Sequence, residues 1–459
     1  MTATLDRPLD RTLDRTLYRR HDPLPELLDG AIVDELPRRR TAERTAVFVL
    51  TLGFVFQPML HPTGPGNSSP VDIFLVASIV AAAIWARSSH RRLRAPYFIP
   101  VALMMVGGAA SGLVGSVPTT SLMALVVDLL LLAWCTTIVN VLSKPRALRY
   151  AMVAWSWSGI FWAAVVVVAW LGHITKLEGL QAAEGNRVLF TFGDPNYAST
   201  YWDATIFIVY AMKTPTTRWI RVVGYALLVC ALALTESNGG ALALGVGVVF
   251  LLLVRSYRAR GWAGAAAVTI VGGLAVGAFL TAFPLNTLRQ AALTSNQPLL
   301  VNSIGRSAQS SQERSQLISE MRLLYLRSDG VLGLGPGSTK PLLTTGFYPY
   351  PNEAHDDYLA ALVERGPLGL IGLLLLVGSA VLWSAPVVRK RQSPGFAAAV
   401  PAPVGMVAGL LALSVNSFYE EILHFRFLWA LLGVVAILGW DARRAEVERK
   451  RAALRGTPP

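Results

Sequence analysis

The stretch that decides the fold is TSLMALVVDLLLLAWCTTIVNVL, residues 120–142, in which Asp128 is the one charged side chain. About 20 predominantly apolar residues in a helix are enough to cross the hydrocarbon core of a bilayer. Because only helices and closed barrels span a bilayer, such runs predict an all-α polytopic integral membrane protein. Together with 120–142, further runs give about twelve predicted transmembrane helices: 44–61, 71–86, 96–117, 150–172, 197–212, 219–235, 239–254, 262–284, 366–385, 401–417 and 425–440.

The composition excludes an ordinary soluble globule. Of the 459 residues, 53% are hydrophobic and 15% are charged, against roughly 25% charged in soluble domains. The net charge of +13 comes from basic residues in alternate connections and in both tails, which is the pattern of cytoplasmic loops. Both termini are therefore expected in the cytoplasm. Topology and anionic lipid headgroups explain the basic surplus, so no nucleic acid partner is expected.

The predicted spans divide the chain into five segments. These are a cytoplasmic N-terminal tail at 1–43, transmembrane helices 1–9 at 44–284, a large extracytoplasmic loop at 285–365, transmembrane helices 10–12 at 366–440, and a cytoplasmic basic tail at 441–459. A connection as long as 285–365 is uncommon unless it is functional or has its own structure. Apolar residues recur at helical spacing from Ser311 to Arg327, which predicts an amphipathic helix lying against the membrane domain.

The loop before the sixth predicted span carries a candidate anion site. It contains Asn186-Arg187 and then Gly-Asp-Pro-Asn at 193–196, where Pro195 is suited to begin a helix and Asp194 to cap it. A guanidinium group close to a helix N-terminus favours phosphate oxygens. The alternative is a loop arginine in water or on a lipid headgroup.

The large loop carries the other candidate residues. Arg314 falls on the first turn of the predicted amphipathic helix, and Gly333, Gly335 and Gly337 follow it in a pattern more typical of a tight turn than of a phosphate-binding loop. The stretch NEAHDDY at 352–358 then opens a helical run. Asp128 and Asp203 lie within apolar runs, so each is expected to be functional or ion-paired. The six histidines and two cysteines show no metal-ligand spacing.

Taken in order, these motifs resemble the O-antigen ligase and polysaccharide polymerase superfamily. The resemblance rests on 186–198, Ser-Asn-Gly-Gly at 237–240, Arg314 with the glycine run, His355 with the segment to Gly366, and 417–421. It implies a metal-independent membrane glycosyltransferase without a cofactor. Its donor would be a polyprenyl-diphosphate-linked glycan, and its acceptor a glycan or lipid-glycan hydroxyl at the outer face of the bacterial cytoplasmic membrane.

The resemblance also implies roles for single residues. Arg187 and Arg314 resemble the two essential arginines of the family, which contact the donor diphosphate, and His355 resembles its essential histidine. The expected substrate-binding residues are Asn186, Asn196, Asn238, Lys340, Asp356 and Tyr358. Many members have Arg at the position of Asn238, and Asn or Ser at that of Asp356, so the site is expected to be less basic here.

Several alternatives stay open at this stage. A histidine poised near neutral pH is a reasonable base for the acceptor hydroxyl, with Asp356 or Glu353 able to orient it or to replace it. Glu420 and Glu421 are expected to form a salt bridge to an arginine of the site. Tryptophans such as Trp155 and Trp202 are expected to be interface anchors. A lipid-glycan flippase or secondary transporter is the competing function, and nothing in the sequence distinguishes a polymerase from a ligase.

Overall fold

The computed structural model describes residues 24–59, 69–90, 92–178, 180–181, 187–327, 331–346, 348 and 353–455. The helices are α1 (Leu24–Val55), α2 (Asp72–Ser89), α3 (Phe98–Val114), α4 (Pro118–Val141), α5 (Pro145–Leu171), α6 (Thr175–Glu178), α7 (Pro195–Met212), α8 (Arg218–Leu234) and α9 (Asn238–Ala282). They continue with α10 (Leu285–Thr294), α11 (Pro298–Leu300), a π-helical turn (Val301–Gly305), α12 (Ser307–Arg327), α13 (Thr339–Thr345), α14 (Asp357–Arg389), α15 (Pro394–Ala399), α16 (Val404–Asn416) and α17 (Arg426–Leu454). Within the described residues the strands are β1 (Leu180–Gln181) and β2 (Arg187–Val188), which pair antiparallel.

A helix occupies every predicted apolar run. The runs 239–254 and 262–284 are joined in α9, which bends at Gly261, where φ is 64° and ψ is −153°. Five helices of the described chain are long and apolar enough to cross a membrane, namely α2, α4, α5, α9 and α14, and α3 and α16 are shorter apolar helices. The chain is therefore an all-α membrane protein. The count of about twelve spans remains a prediction.

Three predicted segment boundaries fall inside helices. Helix α1 begins at Leu24, well before the predicted end of the N-terminal tail, and α17 continues to Leu454, beyond the predicted start of the C-terminal tail. Helix α14 runs through the predicted boundary between loop and span, where Gly366 has a φ of 67° and is followed by Pro367. The carbonyl of Leu332 lies so close to Gly366 that a Cβ there would come within 2.8 Å of it. The bend therefore packs against the glycine-rich turn.

Small residues let the helices pack closely. A Cβ on Gly107 of α3 would lie 2.7 Å from the carbonyl oxygen of Arg365 on α14, so the two backbones nearly touch. Trp155 and Trp202 are buried in the core, where the Trp155 ring stacks on Tyr201 with centroids 6.5 Å apart. The expectation that these two tryptophans anchor the interface is therefore wrong.

Helices α12 and α13 pack against the first turns of α14. Leu317 and Met321 of α12 are buried with Leu343 of α13 and with Ala360 and Val363 of α14 in a separate apolar cluster. A helix thus occupies the stretch predicted from Ser311 to Arg327, and its buried residues lie on the first turns of α14. Gly333, Gly335 and Gly337 all have positive φ, at 86°, 104° and 70°, which confirms the tight turn.

Candidate active site

The centre of the candidate site is the carboxylate of Glu420, just beyond the end of α16. One of its oxygens lies 2.6 Å from Nδ1 of His355, and the other lies 3.4 Å from a guanidinium nitrogen of Arg314. Glu420 is almost fully buried, whereas about a quarter of the His355 side chain and about a third of the Arg314 side chain are exposed. Two of the three residues expected to be catalytic therefore share one buried counter-ion and still reach solvent.

The segment before α14 is fixed in place by its aspartates. Asp356 caps α14, because its carboxylate accepts hydrogen bonds from the N–H groups of Tyr358 and Leu359 at 2.8 and 3.1 Å. Asp357 accepts from the N–H groups of Ile422 and Leu423, both at 3.2 Å, and so ties α14 to the turn after α16. These bonds hold His355 against Glu420 although its φ of 50° lies in the left-handed region, where non-glycine residues are uncommon.

Arg187 lies in a buried polar group between α7 and α9. Its side chain is 1% exposed, its Nε donates to the carbonyl of Thr235 at 2.9 Å, and another guanidinium nitrogen donates to Oδ1 of Asn196 at 2.9 Å. The same Asn196 oxygen accepts from the hydroxyl of Ser237, which also accepts from the N–H of Gly240 as the cap of α9. Arg187 therefore ties the first turn of α7 to the turn that joins α8 to α9.

Asp194 connects this group to the Glu420 centre electrostatically. It caps α7 by accepting from the N–H of Asn196 at 2.6 Å, as its position before Pro195 predicted. Burial and the nearby Glu420 raise the pKa of Asp194 to about 6, while His355 and Arg187 act in the opposite direction. Because the charges of Arg187, His355 and Glu420 all shift the pKa of Asp194, these three side chains belong to one cluster of charges.

The cluster fixes the charge of His355. Burial alone lowers the pKa of the His355 imidazole, but the charge and hydrogen bond of Glu420 outweigh this effect and raise that pKa to about 9. His355 is therefore a cation at neutral pH, and its Nε2 has no hydrogen-bond partner among the described residues. This imidazolium is suited to bind an anion and cannot accept a proton until it has lost one.

Glu353 is a second carboxylate near His355. Burial raises its pKa, but His424, the hydrogen bond from the Tyr197 hydroxyl and the charges of Lys340 and His355 together lower that pKa below its ordinary value. The Tyr197 hydroxyl donates to Glu353 at 2.6 Å, which connects the first turn of α7 to the segment carrying His355. The group that orients His355 is thus Glu420, and Glu353 stands apart as a candidate base.

The remaining predicted substrate-binding residues are more dispersed. Asn186 lies outside the described residues. Asn238 is exposed and donates to the carbonyl of Ser303 at 3.0 Å, so it fastens the π-helical turn to α9. The Tyr358 ring stacks on Phe418 at 4.8 Å, and Lys340 is exposed beside a cavity between α4 and α14. Asn196 contacts Arg187, and Asp356 is used as a helix cap.

Sequence reasoning found some partners and missed others. The expected salt bridge between Glu420 and an arginine is present, with Arg314, but Glu421 instead accepts from the N–H of Ala354. Asp128 pairs with Arg365 of α14, and Asp203 lies 3.5 Å from the amide of Asn416. Among the residues described, no three His, Cys, Asp or Glu side chains are placed to ligate one metal ion.

Comparison with known families adds one match. Residues 223–374 match the family model of the O-antigen ligases. The match covers the cap of α9, Arg314, the glycine-rich turn and His355, and it confirms the resemblance drawn from the motifs. No curated protein sequence matches the chain at the level required for significance. This match supports a membrane glycan ligase or polymerase role in polysaccharide assembly.

Proposed function

We propose that the chain is a glycosyltransferase of the cytoplasmic membrane that transfers or polymerises a polyprenyl-diphosphate-linked glycan onto an acceptor hydroxyl at the outer face. The observation that carries the proposal is the Glu420 centre, in which two partly exposed cations, Arg314 and His355, share one buried carboxylate. The N-terminal turns of α7 and α9 adjoin this centre through Asp194 and Arg187. Cations and helix N-termini together form a site for a diphosphate.

The chemistry requires stabilisation of the leaving group. The bond between the anomeric carbon and the diphosphate oxygen breaks, the acceptor oxygen bonds to that carbon, and the bonding electrons stay on the diphosphate. Preorganised donors aimed at such developing charge typically contribute about 2.7–4 kcal/mol each. Arg314 and His355 supply these donors, so the proposed reaction needs neither a metal ion nor a cofactor.

The acceptor hydroxyl must also lose a proton. His355 is already protonated at neutral pH, which leaves a carboxylate as the base. The pKa of Glu353 lies below its ordinary value and responds to the charge of His355, so Glu353 is an ionised carboxylate near the site. We therefore assign Glu353 as the base that accepts the proton of the acceptor hydroxyl. His355 then acts as the electrostatic partner of the diphosphate rather than as the base.

Arg187 has a different role in this proposal. Its guanidinium is buried and bonded to Thr235 and Asn196, so it has little surface to offer a donor. We assign it to tying the first turn of α7 to the turn that joins α8 to α9 and to adding positive potential to the site. Asn186, Asn196, Asn238, Lys340, Asp356 and Tyr358 remain candidate substrate contacts.

The topology is part of the proposal. Twelve spans with both termini in the cytoplasm would put Arg314 and His355 outside, where lipid-linked glycans are assembled into surface polysaccharide. Cysteines introduced at 314 and 355 should react with a membrane-impermeant thiol reagent added to intact spheroplasts. Reaction only after the cytoplasmic side is opened would contradict this orientation.

Deleting the gene and analysing the lipid-linked pool tests the function in the cell. Accumulated single repeat units indicate a polymerase, and accumulated long chains indicate a ligase. Plasmid-borne wild type should restore the surface glycan, whereas Arg314→Ala and His355→Ala, present at wild-type abundance, should not. An unchanged lipid-linked pool in the deletion strain would refute the proposal.

A further inference from the structure

A cavity of about 330 Å³ lies beside the Glu420 centre, between α4, α13, α14 and the turn at 421–424. Its volume is at the lower end of the range for small-ligand sites, roughly 300–1,000 Å³. The α4 side is formed by Thr120, Ala124, Val127 and Asp128, and the opposite side by α13 and the first turns of α14. The Asp128–Arg365 ion pair forms part of its wall.

The cavity adjoins the reacting groups of the proposed mechanism. Glu353 is part of the cavity lining, and the charge of His355 helps to lower the pKa of Glu353. Glu421, another lining residue, accepts a hydrogen bond from the N–H of Ala354, the residue before His355. A ligand in this cavity therefore lies against the segment 353–355, which carries both the proposed base and the imidazolium.

Three polar groups of the lining are available to a ligand. Within the described residues, the ring nitrogens of His424 and the ammonium of Lys340 make no hydrogen bond, and Glu421 makes only the one with Ala354. The imidazole of His424 offers its two ring nitrogens for hydrogen bonding to such a ligand. Donors and acceptors interspersed in this way suit a ligand rich in hydroxyl groups.

The lining also disfavours an anion. It contains five carboxyl groups, on Asp128, Glu353, Asp357, Glu364 and Glu421, against two cations, Lys340 and Arg365. Burial and the neighbouring Glu364, Glu353 and Asp357 raise the pKa of Glu421 well above its ordinary value, which means that further negative charge is resisted there. The excess of carboxyl groups over cations makes this cavity a poorer site for a diphosphate than Arg314 and His355.

We propose that this cavity is the acceptor subsite and that it takes an uncharged or amino-substituted sugar residue, whose hydroxyl is presented to Glu353. The inference rests on the proposed function, because it divides that site into a cationic donor side and a carboxyl-lined acceptor side. It predicts that acceptors bearing a carboxylate or phosphate on the terminal sugar are rejected.

Thiol chemistry tests the cavity without relying on activity. Ala124→Cys, in a full-length chain carrying Cys230→Ala, puts a thiol on the α4 wall, while native Cys135 stays buried. A cationic methanethiosulfonate reagent should modify this cysteine roughly tenfold faster than an anionic one, because carboxyl groups outnumber cations in the lining and an excess of one sign of charge in a cleft raises the local counter-ion concentration by about 10–10³. Thr344→Cys is the control, since Thr344 is exposed on α13 and does not line the cavity.

Occupancy is tested with glycan released by mild acid from the lipid-linked pool of the deletion strain. This glycan should slow modification of the Ala124→Cys thiol and leave the Thr344→Cys thiol unaffected. In transfer assays, Ala124→Phe should raise the KM for acceptor at least tenfold and leave the KM for the lipid-linked donor unchanged, whereas Thr344→Phe should change neither.

The outcomes separate the two proposals. Equal rates with both reagents, no protection by the glycan, or a donor KM that rises with Ala124→Phe would each overturn the acceptor subsite while transfer by the wild type still stands. A wild-type chain that transfers no glycan would instead refute the proposed function, and the ratio of reagent rates would still report on the cavity.

Discussion

Replacing Glu420 by Gln tests whether His355 works as a cation. The substitution keeps the shape of the side chain and removes the negative charge whose carboxylate oxygen lies 2.6 Å from Nδ1 of His355. The pKa of His355 is about 9, against an ordinary value of about 6.5, and at 1.36 kcal/mol per unit this difference corresponds to about 3 kcal/mol. Without the carboxylate, burial leaves that pKa at its ordinary value or below.

The expected result is a displaced pH profile of the transfer rate. The active form of His355 is protonated, so wild-type activity should persist up to about pH 9 and fall above it. In Glu420→Gln, at most about a tenth of His355 is protonated at pH 7.5, so the rate there should fall roughly tenfold and recover below about pH 6.

The assay follows transfer by purified full-length protein in lipid nanodiscs between pH 5.5 and 10. Glu320→Gln is the matched control, because Glu320 is a buried carboxylate of α12 that accepts a hydrogen bond from Gln316 rather than from His355, and its profile should coincide with that of the wild type. An alkaline limb that stays at the same pH in Glu420→Gln would refute the cationic role of His355.

Three further predictions concern the buried charges and the ion requirement. Arg187→Ala should lower the free energy of unfolding by about 3 kcal/mol or more, because buried hydrogen bonds to a charged group are lost. Arg314→Ala should change the free energy of unfolding by about 1 kcal/mol or less, because its salt bridge is partly exposed. Equal losses for the two variants in thermal denaturation would contradict the separate roles of these arginines. Asp128→Asn should lower the free energy of unfolding by about 3–5 kcal/mol, because it leaves the buried Arg365 unpaired. The double substitution Asp128→Leu with Arg365→Met should restore most of that stability. A single substitution with no effect on stability would count against the ion pair. Glycan transfer should continue in the presence of chelators. If chelators abolished transfer and added magnesium restored it, side-chain cations alone would not explain the stabilisation of the leaving group.

Local patterns in the sequence predicted local structure well. Asp194 and Pro195 begin α7 as the capping preferences require, the three glycines at 333, 335 and 337 form the turn, and the apolar runs coincide with helices. These features depend on residues within a few positions of one another. The same reasoning applied to Asp356 would have predicted its use as the cap of α14, instead of as a partner of His355.

Long-range pairings could not be predicted from the sequence. Glu420 meets His355 across 65 positions and Asp128 meets Arg365 across 237 positions, and only the packing of α14 against its neighbours brings either pair together. Hydropathy also does not tell which side of a helix faces the core, which is why Trp155 and Trp202 were expected at the interface but are buried. The burial of Arg187 could likewise not be predicted, because it depends on how distant helices pack around that side chain.

The most direct test of the central claim is release of polyprenyl diphosphate from lipid-linked glycan by the purified chain, measured with glycan product in the same reaction. The account predicts equal amounts of both products for the wild type, and rates at least about 100-fold lower for Arg314→Ala and His355→Ala, since removing one donor to a developing oxyanion typically costs 10²–10³ in rate. Both variants working at the wild-type rate, or a wild type that moves the lipid across the bilayer without cleaving it, would contradict the account.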